Sequence, residues 1–230
     1  MPSFALLALT IFAGAAPLES PAMLPELQTY VLARTEEFDQ IPAARKAELE
    51  RLTRYVAEKR AAGEPVRLTF ICTHNSRRSH LGQLWAAVAA THYRVSGVET
   101  FSGGTEATAF NPRAVAALQR AGVQIESDDA ETNPRYTATY SDSTPAAVHF
   151  SKKYDTPPNP TADFAAIMVC TDADEACPVV AGAAFRLALP YEDPKVADDT
   201  PQEATRYDER TAQIGRELLY AFSKVRLVKP

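Results

Sequence analysis

Val66-Arg-Leu-Thr-Phe-Ile-Cys72-Thr-His-Asn-Ser-Arg-Arg78-Ser79 runs from a short apolar, β-forming segment straight into a polar loop. Leu81 to Tyr93 (LGQLWAAVAATHY) follows with the composition of a buried helix. The run VRLTFIC at 66–72 reads as a buried strand. Glu99–Ser102, Phe164–Cys170 (FAAIMVC) and Phe185–Leu189 are three further strand candidates. Between and after them lie helices. One starts at Asn111-Pro112, a cap followed by a proline at the first helical position, and stops at Gly122. The longest spans Pro201–Lys224. Strands alternating with helices predict an α/β fold, a single three-layer domain around a four-stranded, mostly parallel sheet. Sites in such sheets lie beyond the carboxyl ends of the strands, where the 73–79 loop falls.

Outward from this core the chain changes character. In residues 23–64, Leu27, Val31 and Phe38 recur at helical spacing, as do Leu49, Leu52 and Val56 after Pro42. They predict an amino-terminal helical hairpin, closed by Gly63 and Pro65, that packs on the main domain at 65–230. Residues 126–162 are rich in Ser, Thr, Asp and Pro and carry Tyr136, Tyr140, Phe150 and Tyr154. This segment reads as an irregular or partly β insertion whose aromatics either pin it down or form a lid over a site. Residues 1–22 hold an apolar run, Phe4–Ala16, that ends in small residues like a signal peptide but has no Lys or Arg before it. It is shorter than the roughly 20 residues a membrane-spanning helix needs. Either it directs export or Met23 is the true start; the expectation is a cytoplasmic protein with no membrane segment in its mature form.

Composition narrows the classes. At 46% hydrophobic residues the chain must collapse, which excludes global disorder. With 24 Lys+Arg against 29 Asp+Glu the net charge is −5, and with no long basic stretch a nucleic-acid partner is disfavoured. Three cysteines are too few for a disulfide scaffold and leave one unpaired, which suits a reducing compartment or thiol chemistry. His80, His92 and His149 lack metal-ligand spacing, and there is no glycine-rich nucleotide fingerprint, so neither metal nor cofactor is expected.

Chemistry concentrates in the loop. Cys72 is followed by five residues, Arg78 and Ser79. A loop entering a helix aims N–H groups at one point, and the helix dipole adds positive potential there, so Thr73, His74, Asn75, Ser76, Arg77, Arg78 and Ser79 are expected to surround a tetrahedral oxyanion. The same field favours a thiolate and makes Cys72 the candidate nucleophile. Arg78 supplies the planar fork that grips two oxygens. Ser79 is placed to donate to the thiolate, and Asn75 to brace the loop.

This loop resembles the signature of low-molecular-weight protein tyrosine phosphatases and of their relatives, the thioredoxin-coupled arsenate reductases. Phe101-Ser-Gly-Gly-Thr-Glu-Ala107 with Asn111-Pro-Arg-Ala-Val-Ala-Ala-Leu118 is similar to the family's second strand and helix. Tyr191-Glu-Asp193-Pro194 is similar to the loop carrying its general acid. The resemblance covers roughly 66–125 and 163–224. It implies that Asp193 protonates the departing oxygen, with Glu192 and Asp172 as weaker alternatives. It also gives Cys170 and Cys177, spaced C-x6-C, a meaning: ester hydrolysis needs one thiol, whereas arsenate reduction needs two electrons. In the arsenate reductases the second thiol attacks the arsenic adduct and the third carries the disulfide outward through a mobile loop, where thioredoxin reduces it. Arsenate reduction is therefore the leading expectation. The alternatives are a phosphatase acting on phosphate monoesters and a non-catalytic oxyanion-binding or redox-sensing module. Two departures stand out: Arg77 replaces a frequent second loop cysteine, and His74 replaces a small residue. After Pro194 the sequence Lys-Val-Ala-Asp-Asp also lacks the paired tyrosines of many phosphotyrosine phosphatases.

Overall fold

The computed structural model describes residues 23–177 and 179–227; the apolar run at 4–16 lies outside them. The chain begins with helices α1 (Pro25–Thr35) and α2 (Ala43–Ala61), then strand β1 (Val66–Cys72), helix α3 (Arg78–His92) and strand β2 (Val98–Gly104). Helix α4 (Pro112–Arg120) precedes three short strands, β3 (Gln124–Ser127), β4 (Tyr136–Thr139) and β5 (Ala147–His149). Strand β6 (Phe164–Met168), helix α5 (Thr171–Ala176), strand β7 (Ala183–Ala188) and the long helix α6 (Glu203–Lys224) complete it.

The main sheet has the order β2-β1-β6-β7, with every pair parallel. The two central strands are predominantly apolar: β6 is buried throughout and β1, interrupted by Arg67 and Thr69, is buried at all but Arg67. Strands covered on both faces have no polar side to alternate with. Packed on the sheet are α3, against β1 and β2, and α2, against β7. Helix α6 buries Tyr207, Thr211, Ile214, Leu218 and Phe222, a stripe at helical spacing, and contacts α1, α2, α3 and α4. The amino-terminal helices thus lie chiefly against α6, and Leu27, Val31, Leu49, Leu52 and Val56 enter the same core as the sheet.

The structure corrects the reading of 171–176. Expected as a mobile loop, the segment is a helix, because the Cys170 sulfur caps it by accepting from Ala173 N–H at 3.4 Å and Asp172 and Asp174 stand in its first turn, where the helix dipole favours acids. The insertion is partly β, as expected: it adds β4 and β5 to β3 in an antiparallel three-stranded sheet, and its remainder is irregular. Its aromatics are anchors: Tyr136 meets Phe110 edge-on at 5.3 Å, Tyr140 is buried, and Phe150 lies under Arg135 and Lys152 at 4.3 and 4.7 Å.

Candidate active site

Because the four central strands are parallel, their carboxyl ends share one edge of the sheet. That edge receives Cys72 from β1, Thr105 and Glu106 after β2, Cys170 two residues beyond β6, and Tyr191 and Asp193 a few residues beyond β7. Parallel topology alone brings together residues more than a hundred positions apart.

The loop after Cys72 turns its carbonyls outward one by one. The Cys72 oxygen accepts from Thr105 N–H (3.1 Å), that of Thr73 from Glu106 N–H (2.8 Å), and that of His74 from the Thr108 and Ser151 hydroxyls (3.1 Å each). The Asn75 carbonyl meets His80 Nε2 at 3.0 Å, and that of Ser76 accepts from Asn111 N–H at 2.8 Å. In a trans peptide the C=O of one residue and the N–H of the next point opposite ways. Five outward carbonyls therefore turn the N–H groups of residues 73–77 to the concave side, an arrangement of donors that can accept an anion. Asn75 adopts the left-handed conformation, with φ 45°, that makes the turn possible. Gly104 permits the close approach of β2: a Cβ there would lie 2.6 Å from the Thr73 oxygen and 2.7 Å from the Asn75 nitrogen.

Cys72 Sγ lies 3.1 Å from Ser79 Oγ, which in turn accepts from Asn75 Nδ2 at 2.9 Å. His80, fully buried on α3, supports the loop from beneath. Its Nε2 donates to the Asn75 carbonyl, so Nδ1 must accept from the Ser102 hydroxyl, 3.2 Å away. That neutral tautomer agrees with burial, which holds the imidazole well below its ordinary pKa, aided by His149 and Lys152 nearby. Arg78, at the start of α3, donates to Asp193 Oδ2 at 2.7 Å and to the Tyr191 carbonyl at 3.0 Å. The expected acid and the expected anion clamp are thus in contact. Glu192 points elsewhere, to Arg210 at 3.0 Å, and Asp172 is exposed on α5.

Cys170 is fully buried beside the loop, its sulfur 3.5 Å from the Thr73 hydroxyl, and Cys177 is half-buried at the other end of α5. All three cysteines are free thiols. Arg186 of β7 holds the far end of α5, donating to the Asp174 carboxylate and carbonyl (2.5 and 2.9 Å) and to the Cys177 carbonyl (3.1 Å).

His74 lies on the rim, half-exposed, with Nε2 3.7 Å from Glu106. Arg77 points away from the concavity: its Nε donates to the Tyr207 hydroxyl at 2.8 Å and its Nη2 to Asp198 at 3.3 Å, while Tyr207 donates to Asp198 at 2.7 Å. Tyr207, Asp198, Ser151, Lys152, Asn133 and Arg186 carry no sequence motif, and only their contacts reveal them. Tyr191 is buried with Arg45 4.6 Å above its ring, so it offers no aromatic face to a substrate. Among the described residues no cluster of His, Cys, Asp and Glu has the arrangement to hold a metal ion.

No family profile matches the chain. An arsenate reductase of Shouchella clausii is 31% identical over 134 residues, covering 58% of this chain and 78% of that protein. The chain belongs to the arsenate reductase family. It is accordingly an enzyme of that family. An arsenate reductase of Bacillus licheniformis is 27% identical over 150 residues, covering 65% of this chain and 89% of the relative. Among solved structures, an arsenate reductase in the phosphate-binding state superposes with a TM-score of 0.48 at 16% identity, over 70% of this chain and 98% of its own. A low-molecular-weight phosphotyrosine phosphatase of Vibrio cholerae O395 gives 0.44 at 14% identity, over 70% and 97%. Among the described residues of this arsenate reductase family member, no helix is long and apolar enough to cross a membrane.

Proposed function

We propose that the protein reduces arsenate to arsenite, with Cys72 as nucleophile, Arg78 as anion clamp, Asp193 as acid, Cys170 and Cys177 as relay thiols, and thioredoxin as the final reductant. The Cys72 thiolate attacks arsenic, and an arsenic-bound oxygen leaves as water after taking a proton from Asp193. The Cys170 thiolate then attacks the Cys72 sulfur. The S–As bond breaks with its electron pair going to arsenic, which leaves as arsenite, and a Cys72–Cys170 disulfide remains. Attack by Cys177 on Cys170 frees Cys72, and an external dithiol reduces the Cys170–Cys177 bond. The observation that carries this reading over ester hydrolysis is a second free thiol at the anion loop: Cys170 Sγ stands 3.5 Å from Thr73 Oγ1, with Cys177 at the opposite end of the same short helix. The names and identities of the relatives support it as well.

Two assays on one preparation test the proposal: arsenate with thioredoxin, and an aryl phosphate without it. Cys170→Ser and Cys177→Ser should each stop multiple-turnover arsenate reduction and leave aryl phosphate hydrolysis intact. After a single turnover, mass spectrometry should find the arsenic adduct in the first variant and a Cys72–Cys170 disulfide in the second. Arsenate reduction by both variants at the wild-type rate would eliminate the relay in favour of the phosphatase. Oxyanion binding with neither activity would point to a sensor.

A further inference from the structure

The 126–162 insertion, outside the family resemblance, reaches the nucleophile through a continuous chain of hydrogen bonds. Immediately after β5, Ser151 and Lys152 run beside the anion loop. Lys152 N–H donates to Asn75 Oδ1 at 2.8 Å, and the Ser151 hydroxyl donates to the His74 carbonyl at 3.1 Å while accepting from Thr108 N–H at 2.8 Å. Asn133, in the turn before β4, clamps Ser151 from both sides: its Oδ1 accepts from Ser151 N–H (2.9 Å) and its Nδ2 donates to the Ser151 carbonyl (2.8 Å). The Lys152 carbonyl accepts from Gly104 N–H at 2.9 Å, which ties the same segment to the end of β2. Asn75, Ser151 and Lys152 are all buried, so water does not stand in readily for a lost partner.

The direction of these bonds matters. A backbone N–H can only donate, so the Asn75 atom facing Lys152 is the amide oxygen, and the amide nitrogen is the end that faces Ser79. Ser79 Oγ then accepts from Asn75 Nδ2, which leaves its single hydrogen for Cys72 Sγ, 3.1 Å away. We propose that the insertion is a working part of the active site, with Asn133, Ser151 and the Lys152 backbone acting as positioning groups that orient the Asn75 amide and thereby point the Ser79 proton at the Cys72 thiolate. The inference rests on reading the 72–79 loop as the anion site and holds whichever oxyanion the site takes.

The test uses the full chain carrying Cys170→Ser and Cys177→Ser, so that Cys72 is its single thiol. The rate of iodoacetamide alkylation at pH 6 reports thiolate, and the inorganic phosphate concentration that protects Cys72 reports anion binding. Ser151→Ala and Asn133→Asp should each slow alkylation at least fivefold and raise the protecting phosphate concentration several-fold, with the circular dichroism spectrum unchanged. Asn75→Asp, which puts an acceptor where Ser79 needs a donor, should slow alkylation by more than tenfold. Val148→Thr, on an exposed position of the insertion, should leave both readouts unchanged. If Cys72 in the parent neither alkylates rapidly nor is protected by phosphate, the site reading itself fails. If it does both, and the folded Ser151 and Asn133 variants match it, the insertion is not a positioning element.

Discussion

Arg77 and Arg78 are neighbours in sequence and do different work. Arg78 contacts Asp193 at 2.7 Å and the Tyr191 carbonyl at 3.0 Å, which uses two of the five N–H donors a guanidinium carries. The donors that remain keep the planar geometry that oxyanion binding requires. Arg78→Lys should therefore lower kcat/KM at least tenfold, since a charge-assisted hydrogen bond is worth about 1.5–3 kcal/mol and an ammonium cannot reproduce the fork. Cys72→Ser should abolish turnover altogether, because a serine hydroxyl is scarcely ionised near neutral pH. Steady-state kinetics on both variants checks this, and an active Cys72→Ser enzyme would move the site elsewhere. Arg77 instead closes a triangle with Tyr207 and Asp198 that ties the loop after Cys72 to α6 and to the segment following Asp193.

Among elements, α5 has the most specific consequence. Cys170 and Cys177 are seven residues apart across a helix, a span of about 10 Å at 1.5 Å per residue. A disulfide tolerates Cα separations up to roughly 7 Å, so joining them requires α5 to give up its helical form. Arg186 opposes that change by holding Asp174 and the Cys177 carbonyl in the helical arrangement. Arg186→Leu should favour the disulfide in a glutathione redox titration by about three- to tenfold, a modest factor because the Arg186–Asp174 pair is partly solvated. An unchanged equilibrium would remove the latch and leave the relay chemistry untouched. The same element shows why a polar C-x6-C segment reads as a loop: its apolar content is too low to signal burial, and its helix is set by a sulfur cap and two first-turn acids.

At the scale of the whole molecule, acid sensitivity follows from His149. Among the described residues neither of its ring nitrogens has a hydrogen-bond partner, and burial, with Lys152 close by, pushes its pKa down to about 4. The His80 ring lies 6.1 Å away, centroid to centroid. The unfolded chain binds the His149 proton near pH 6.5 and the folded chain only near 4, so stability present above pH 6.5 is lost as pH falls towards 4. Between pH 7 and 5 this amounts to about 2 kcal/mol, and His149→Phe should remove that share of the fall in urea denaturation. An identical pH dependence in the variant would exclude His149 as the cause. What was legible in the sequence is the local part: two predominantly apolar segments that form the central strands, a cap and proline that start α4, and a C-x5-R-S loop between strand and helix. Each of these rests on interactions within a few residues. The tertiary structure alone decided that Cys170 lies beside Thr73, that Arg78 meets Asp193, and that the insertion brings the Lys152 N–H to Asn75 and the Ser151 hydroxyl to the His74 carbonyl. Those contacts span tens to more than a hundred residues: the first two exist because parallel strands deliver their carboxyl ends to one edge, and the third because the segment after β5 is tied to Gly104 at the end of β2, placements that no local pattern encodes.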